Sequence, residues 1–225
     1  MSSPPDTAVS NDAIVETYDR LAIPYDRLIA PLEAGTRRRA IDRLCLEADE
    51  RVLEIGCGPG HALEPLAGRV GPNGAVYGLD AAPGMIDRAR RRTEKSAGSD
   101  RIDLLLGDAR SLPLPDGCVD AVFLEDTLEL FSADEIATVV AECGRVLEAD
   151  GRIGVVTMER AGVDDDPFVR AYEWLYAHFP GYDRVGCRPI YARRALEAGG
   201  FEIVRRERHR RGYVWPVDIL IGHPE

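Results

Sequence analysis

Residues 52–60 constrain the fold of this chain more than any other stretch, because an apolar run there ends in a carboxylate and three closely spaced glycines. The apolar run, Arg51–Ile55, is rich in β-branched residues and predicts a buried strand. Gly56, Gly58 and Gly60 permit a tight turn and a close approach of a ligand to the backbone. The residues that follow predict a helix whose first N–H groups face that ligand. The spacing G-x-G-x-G differs from the G-x-G-x-x-G of dinucleotide binding.

Further strands follow the glycine segment at regular intervals. A second apolar run, Ala75–Leu79, ends in Asp80, twenty residues after Gly60. An acidic residue at the end of the second strand of a βαβ unit is placed to accept hydrogen bonds from ribose hydroxyls. The runs Ile102–Leu106 and Val119–Leu124 predict two more strands. Because strands alternate with helical segments, we expect a parallel sheet with helices on both faces.

Four segments together identify a family: VLEIGCGPG, VYGLDAAPGMIDRAR, LLLGDARSLPLPDGCVDAVFLED and RVLEADGRIGVV. In order and spacing they resemble the class I S-adenosylmethionine-dependent methyltransferases, over about residues 14–222. The resemblance implies a seven-stranded, mostly parallel Rossmann-like α/β sheet with helices on both faces and an antiparallel last strand. It implies S-adenosylmethionine as the cofactor and one domain over residues 12–225.

The resemblance also assigns parts of the cofactor to groups in this chain. Glu54 and the amides of the glycine segment receive the zwitterionic amino acid tail, and Asp80 receives the ribose diol. Leu124 and Glu125, at the end of the fourth strand, lie beside the sulfonium. These positions follow strand ends, where open α/β sheets bind ligands.

The adenine ring is expected between Met85, Leu106 and Ala109, with Asp108 accepting a hydrogen bond from its exocyclic amine. Met85 lies on a helix face with apolar neighbours, so core packing is an equally good interpretation of that residue. The predicted cofactor-binding residues are Tyr25, Glu54, Gly56, Cys57, Gly58, Gly60, Asp80, Ala81, Met85, Asp108, Ala109 and Leu124.

The segment YDRLAIPYDRLIAPLEAGTRRR resembles the F-D-x-x-A-x-x-Y-D segment of the C-methyltransferases of ubiquinone and menaquinone biosynthesis. Tyr18 and Tyr25 occupy its two aromatic positions, which implies that residues 12–44 form a helical lid and that Tyr25 closes over the cofactor. Simple helix packing by both tyrosines is the alternative. After the fourth strand this chain reads Glu-Asp-Thr-Leu-Glu instead of the asparagine and arginine signature of quinone methylases, so the sequence leaves the acceptor open.

A second segment, residues 166–199, is predicted to contain a substrate lid. Its aromatic residues indicate a small apolar or aromatic acceptor; they are Trp174, Tyr176, Phe179 and Tyr182. Methyl transfer requires a base only when the acceptor is an acidic carbon, a hydroxyl or an ammonium group. Our catalytic candidates are Glu125 and His178, with Asp126 and Glu129 as further acids nearby.

Composition narrows the remaining possibilities. The net charge of −11 disfavours a nucleic-acid partner, although arginine clusters occur and Lys95 is the only lysine. Five cysteines without a C-x-x-C spacing predict no metal site and a reducing, cytoplasmic environment. We expect no membrane span, because no apolar run is long enough. Residues 1–11 are polar and predicted to be disordered.

Three functions remain compatible with these motifs. The first is methylation of a small molecule, and the second is aminopropyl or another S-adenosylmethionine-related transfer on the same fold. The third is a non-catalytic cofactor-binding or interaction protein. Cofactor binding and turnover together would separate the three, while the acceptor and the oligomeric state stay open at this point.

Overall fold

The computed structural model describes residues 30–163, 165–178, 188–211 and 215–225. Several predictions fall outside these ranges: the disordered segment 1–11, most of the lid over residues 12–44, and the side chains of Tyr18, Tyr25, Tyr176, Phe179 and Tyr182.

One seven-stranded sheet runs through the described residues, in the order β3-β2-β1-β4-β5-β7-β6. Its strands are β1 (Arg51–Ile55), β2 (Ala75–Asp80), β3 (Ile102–Leu106), β4 (Val119–Glu125), β5 (Leu147–Thr157), β6 (Phe201–Arg211) and β7 (Trp215–Pro224). The pairs from β3 to β5 are parallel. The last strand is antiparallel to both β5 and β6. The predicted fold class is therefore confirmed.

Helices cover both faces of the sheet. They are α1 (Ala30–Leu44), α2 (Leu63–Val70), α3 (Pro83–Thr93), α4 (Ala133–Val146), α5 (Pro167–His178) and α6 (Ala192–Ala198). Successive strand residues point to opposite faces, and β1 shows this directly. Val52 packs in the core that includes residues of α1, α2 and α3, while Leu53 packs in the core of α4 and α6.

Local sequence signals explain several helix boundaries. The predicted N-cap Ser132 forms a reciprocal capping box with Glu135 at the start of α4, which satisfies two otherwise free N–H groups. The sequence predicts a break between helices at Pro31, and this residue lies in the first turn of α1, where a missing N–H is tolerated. No helix of the described residues has both the length and the apolar character needed to cross a membrane.

The start of β5 differs from the prediction. The residues Ala-Asp-Gly at 149–151 predict a turn before a strand that begins at Arg152, but the strand starts at Leu147. Val119 pairs with Leu147 and Ala121 already pairs with Arg152, so the extra residues form an irregularity in the ladder. A bulge of this kind adds residues to one strand without ending it, which composition alone does not reveal.

Candidate functional site

The order in which the chain adds strands to the sheet reverses between β1 and β4. From β1 the chain adds β2 and β3 on one side, whereas β4 and β5 lie on the other. Ligands of open α/β sheets bind beyond the carboxyl ends of the strands at such a switch point. The loops after β1, β2, β3 and β4, which carry the predicted cofactor residues, all lie at this edge.

The three positions of the glycine loop after β1 require glycine for different reasons. Gly56, Gly58 and Gly60 all have positive φ angles, of 71°, 51° and 82°. A Cβ at Gly56 would lie 2.4 Å from Oγ1 of Thr127, and one at Gly60 would lie 3.1 Å from Ala89. A Cβ at Gly58 would meet nothing within 4 Å. Packing therefore excludes a side chain at the outer two positions, while the central glycine borders open space that a ligand can approach.

Asp80, the last residue of β2, binds the backbone around this loop. Its Oδ2 accepts a hydrogen bond from the N–H of Gly58 at 2.8 Å, and its Oδ1 accepts one from the N–H of Ala82 at 2.9 Å. An ionised carboxylate has about four lone-pair sites, so both oxygens keep the capacity to accept from a ribose diol. Ala81, between these partners, is exposed.

Glu54 lies at the carboxyl end of β1 with only 3% of its surface exposed. Its Oε2 has no hydrogen-bond partner among the described residues. Burial raises the pKa of this carboxyl well above its ordinary value, and the nearby carboxylates of Glu125 and Asp80 raise it further. A buried carboxylate oxygen without a hydrogen bond is stabilised by a hydrogen-bond donor or a positive charge. The ammonium of an amino acid tail provides both.

The predicted adenine side of the site has apolar walls. Met85 and Ala109 are buried, whereas Leu106 at the end of β3 is 57% exposed. Asp108 is held by Arg110, whose Nη2 donates to Oδ2 at 2.6 Å, and this contact lowers the pKa of the carboxyl. Arg110 also pairs with Glu135.

Two further predicted cofactor-binding residues, Cys57 and Leu124, are buried. Cys57 is buried, and burial raises the pKa of its thiol, so it is a protonated packing residue at neutral pH. Leu124 at the end of β4 is fully buried. Among the described residues, no group of histidine, cysteine and acidic side chains could hold a metal ion.

Glu125 belongs to a buried charged cluster that sequence reasoning missed. Nε of Arg37 on α1 donates to its Oε2, and Nη2 of Arg37 also donates to Glu33 at 3.2 Å. Arg211 at the end of β6 donates to Asp126 at 2.6 Å, and its Nη2 lies 3.7 Å from Oε1 of Glu125. We call these five residues the charged cluster. Burial raises the pKa of Glu125 to about 7.

The other predicted catalytic residue lies elsewhere. His178 is the last residue of α5 and is exposed; its ring stacks on Trp174 and its Nδ1 lies 2.8 Å from the carbonyl oxygen of that residue. The side of α5 that faces the protein instead carries Phe168 and Tyr172. Both pack on Trp215 of β7, with ring centroids 5.2 and 5.0 Å away. Among the described residues, His178 therefore forms no hydrogen bond or ion pair with Glu125.

Comparisons with known proteins agree with this geometry. A family model described as "Methyltransferase domain" matches residues 52–151. The aklanonic acid methyltransferase DauC of Streptomyces sp. strain C5 is 34% identical over 150 residues, which cover 66% of this chain and 67% of that protein. The 2-phytyl-1,4-naphtoquinone methyltransferase of Synechococcus elongatus is 30% identical over 76% of this chain and 72% of that protein.

Coverage of the relatives varies. The matched part of the chain spans 37% of an uncharacterized 37.1 kDa protein of Streptomyces fradiae and 60% of the demethylmenaquinone methyltransferase of Symbiobacterium thermophilum. The fold is shared with a SAM dependent methyltransferase from Aquifex aeolicus at 19% identity. That comparison covers 96% of this chain and 100% of the other, with a TM-score of 0.67.

The fold is that of a class I S-adenosylmethionine-dependent methyltransferase. The chain belongs to this family, in the group that resembles the quinone C-methyltransferases. The site fits the family's cofactor, because it offers an unpartnered buried carboxylate oxygen at Glu54 and open space above Gly58.

Proposed function

We propose that this chain transfers a methyl group from S-adenosylmethionine to a small, apolar or aromatic metabolite. The observation that carries the proposal is the convergence of Glu54, Gly58 and Asp80 at the switch point, each suited to a different part of the cofactor. Relatives named for aklanonic acid, nocamycin and quinones support a small acceptor.

The bound cofactor supplies an electrophilic methyl group on a sulfonium. The chain itself holds the reactants in one orientation and keeps water away from them. In this proposal Glu54 faces the ammonium of the tail, Asp80 accepts from the ribose hydroxyls, and Asp108 accepts from the adenine amine. Tyr25, outside the described residues, is proposed to close over the cofactor.

We place the acceptor beside α5, within the predicted lid region 166–199. Trp215, which the β6–β7 ladder pairs with Arg211, connects the aromatic side of α5 to the charged cluster. An acceptor there would contact aromatic rings on one side and ionisable groups on the other. Glu125 and His178 remain our proposed groups for orienting or deprotonating it, with His178 available from the exposed end of α5.

Two measurements on the purified chain test the function. Calorimetry with S-adenosylmethionine and S-adenosylhomocysteine measures cofactor binding, and incubation with naphthohydroquinones and aromatic polyketide acids is followed by product mass. A methylated product supports the proposal. Cofactor binding without turnover would favour a non-catalytic protein, and an aminopropylated product would favour the alternative transferase.

A pair of variants tests the location of the acceptor. His178→Ala and Tyr182→Ala should each lower turnover and leave cofactor affinity within about a factor of three, roughly 0.6 kcal/mol. His223→Ala is the control, because the ring of His223 contacts the carbonyl oxygen of Gly151 in the first half of β5. Loss of cofactor affinity in the first two variants would place the acceptor elsewhere.

Two broader expectations accompany the proposal. We propose a cytoplasmic protein, which the free cysteines Cys45, Cys57, Cys118 and Cys143 support. We also expect no nucleic-acid partner, because the net charge of −11 disfavours binding to a polyanion.

A further inference from the structure

Two neighbouring parallel strands end in buried carboxylates that lack full hydrogen bonding. Oε2 of Glu54, on β1, and Oε1 of Glu125, at the end of β4, have no hydrogen-bond partner among the described residues. The strands are adjacent, since Ile55 pairs with Leu124. Oε1 of Glu125 lies 3.7 Å from Nη2 of Arg211, which is an ion pair beyond hydrogen-bond distance. Buried carboxylate oxygens normally accept a hydrogen bond, so both atoms can still take a further donor or positive charge.

The surrounding charges do not balance. Glu54 and the charged cluster contain four carboxyl groups against two guanidinium groups. If all four carboxyl groups were ionised, the region would carry two uncompensated negative charges in a water-excluded environment, which is unfavourable. Protonation of the carboxyl groups that have the fewest hydrogen bonds removes this excess negative charge.

The neighbouring acids have hydrogen-bond partners. Asp80 accepts two backbone N–H groups, Asp126 accepts from Arg211, and Glu33 accepts from Arg37. Glu54 and Glu125 each keep one buried oxygen without a hydrogen bond, so an added positive charge would stabilise their ionised forms.

Two further titratable side chains lie close by. Cys57 faces Glu54 and Asp80, and its raised pKa keeps the thiol neutral. Glu129 faces Asp126 and accepts from Thr157 at 3.0 Å.

We propose that Glu54 and Glu125 form a proton-linked site for positive charge: they hold a proton when the site is empty of cation and release it when the cationic cofactor binds. This inference rests on the proposed function. It makes Glu125, which the family resemblance places beside the sulfonium, the group that favours the sulfonium substrate over its neutral thioether product. The ammonium that Glu54 faces is present in both ligands.

The chemistry of the two ligands makes the inference testable. S-adenosylmethionine carries a sulfonium, an ammonium and a carboxylate, whereas S-adenosylhomocysteine lacks the sulfonium and is neutral overall. Binding of the first ligand replaces the proton by a positive charge. The second ligand lets the proton return, and this return favours release of the product.

Calorimetry at pH 7 in phosphate and in Tris measures the proton release, because these buffers differ in ionisation enthalpy. A carboxyl group with a pKa of about 7 releases about half a proton at this pH. We expect S-adenosylmethionine to release about half a proton more than S-adenosylhomocysteine, because both ligands bring an ammonium to Glu54 and only the first brings a sulfonium to Glu125. Between pH 6 and pH 8 the ratio of the two affinities should rise about tenfold in favour of S-adenosylmethionine.

Variants identify the source of the proton. Glu125→Gln should remove the difference in proton release between the two ligands and flatten the affinity ratio. Glu54→Gln should lower the proton release with both ligands and keep the difference between them. Glu50→Gln is the matched control, because Glu50 pairs with Arg152 at the opposite end of β1.

The outcomes separate this inference from the proposed function. Equal proton release for both ligands, or an affinity ratio in Glu125→Gln that depends on pH as in the wild type, overturns the inference alone. Failure of the wild-type chain to bind either ligand overturns the proposed function as well. Thermal melting of each variant, with and without S-adenosylhomocysteine, confirms that it is folded.

Discussion

Oδ2 of Asp80 accepts a hydrogen bond from the backbone N–H of Gly58, with 2.8 Å between the two atoms. The other oxygen accepts from the N–H of Ala82, so one side chain fixes both the glycine loop after β1 and the start of α3. A residue that the sequence assigns to ribose recognition therefore also shapes the loop that approaches the cofactor tail.

Loss of this carboxylate should weaken cofactor binding without unfolding the chain. Asp80→Ala removes two charged hydrogen bonds to the ribose, each worth about 1.5–3 kcal/mol, and we expect about a 100-fold loss of affinity for S-adenosylmethionine. Calorimetry measures the loss. Asp116→Ala is the control, because Asp116 is 82% exposed and pairs with Arg145 before β4. Unchanged affinity in Asp80→Ala would contradict the ribose assignment.

Two variants of the glycine loop distinguish a glycine required for ligand binding from a glycine required for packing. Gly58→Val places a side chain in open space and is expected to abolish cofactor binding while the circular dichroism stays near native. Its positive φ costs about 1–2 kcal/mol of stability. Gly56→Ala, in contrast, would collide with Thr127 and should lower the melting temperature strongly.

A glycine-to-alanine change elsewhere provides the control for the loop variants. Gly68→Ala lies on the exposed side of α2, where a Cβ meets nothing within 4 Å. It should raise stability by about 0.5–1 kcal/mol and keep cofactor affinity. Normal binding by Gly58→Val would show that the cofactor approaches another loop.

Most of the fold could be predicted because its central strands are buried on both faces. Such strands are largely apolar runs that end at a glycine or aspartate, and β1 begins and ends where the sequence indicates. β3, at one edge of the sheet and only partly buried, also matches its predicted range. The other edge strand, β6, is different. The sequence predicts a strand over Phe201–Glu207, but β6 continues to Arg211 because its arginines bind carboxylates on other elements. Arg206 and Arg208, for example, both bind the buried Asp218 of β7.

The candidate site also has one part that the sequence predicts and one part that it does not. The glycine loop and Asp80 could be predicted, because their signal is local in sequence and repeated in a family. The charged cluster could not. Glu33 and Arg37 are four residues apart on α1, a spacing typical of an exposed helix pair, and Arg211 is distant in sequence. Only the packing of α1 and β6 against the loop after β4 brings these charges together.

The assignment of Asp108 to the adenine amine predicts selectivity between two purine ligands. Wild-type protein should bind S-adenosylhomocysteine about tenfold more tightly than S-inosylhomocysteine, because the 6-oxo group cannot donate to a carboxylate. Asp108→Asn can donate to that oxygen and should lose the preference. Asp103→Asn makes the same change at an exposed position of β3 and should keep it. A preference that survives in Asp108→Asn would remove this residue from adenine recognition.

Glu129 predicts a pH dependence of stability. The side chain is buried, and burial raises its pKa to about 8, from the value of 4.5 expected in the unfolded chain. Between these two values the folded state binds more protons than the unfolded state, so stability should fall as the pH rises toward 8. Each unit of pKa difference corresponds to about 1.4 kcal/mol of differential interaction.

Replacement by an amide should remove Glu129's share of that dependence. Glu129→Gln resembles the protonated carboxyl and can keep the contact with Thr157, so the variant should unfold at a higher temperature than wild type at pH 8.5 and at a similar temperature at pH 5. Glu148→Gln is the control, because that carboxyl group is on the surface and pairs with Arg51. Melting curves from pH 5 to pH 9 measure the difference. If the curves of wild type and Glu129→Gln stay parallel over this range, Glu129 keeps the same protonation state in the folded and unfolded chain.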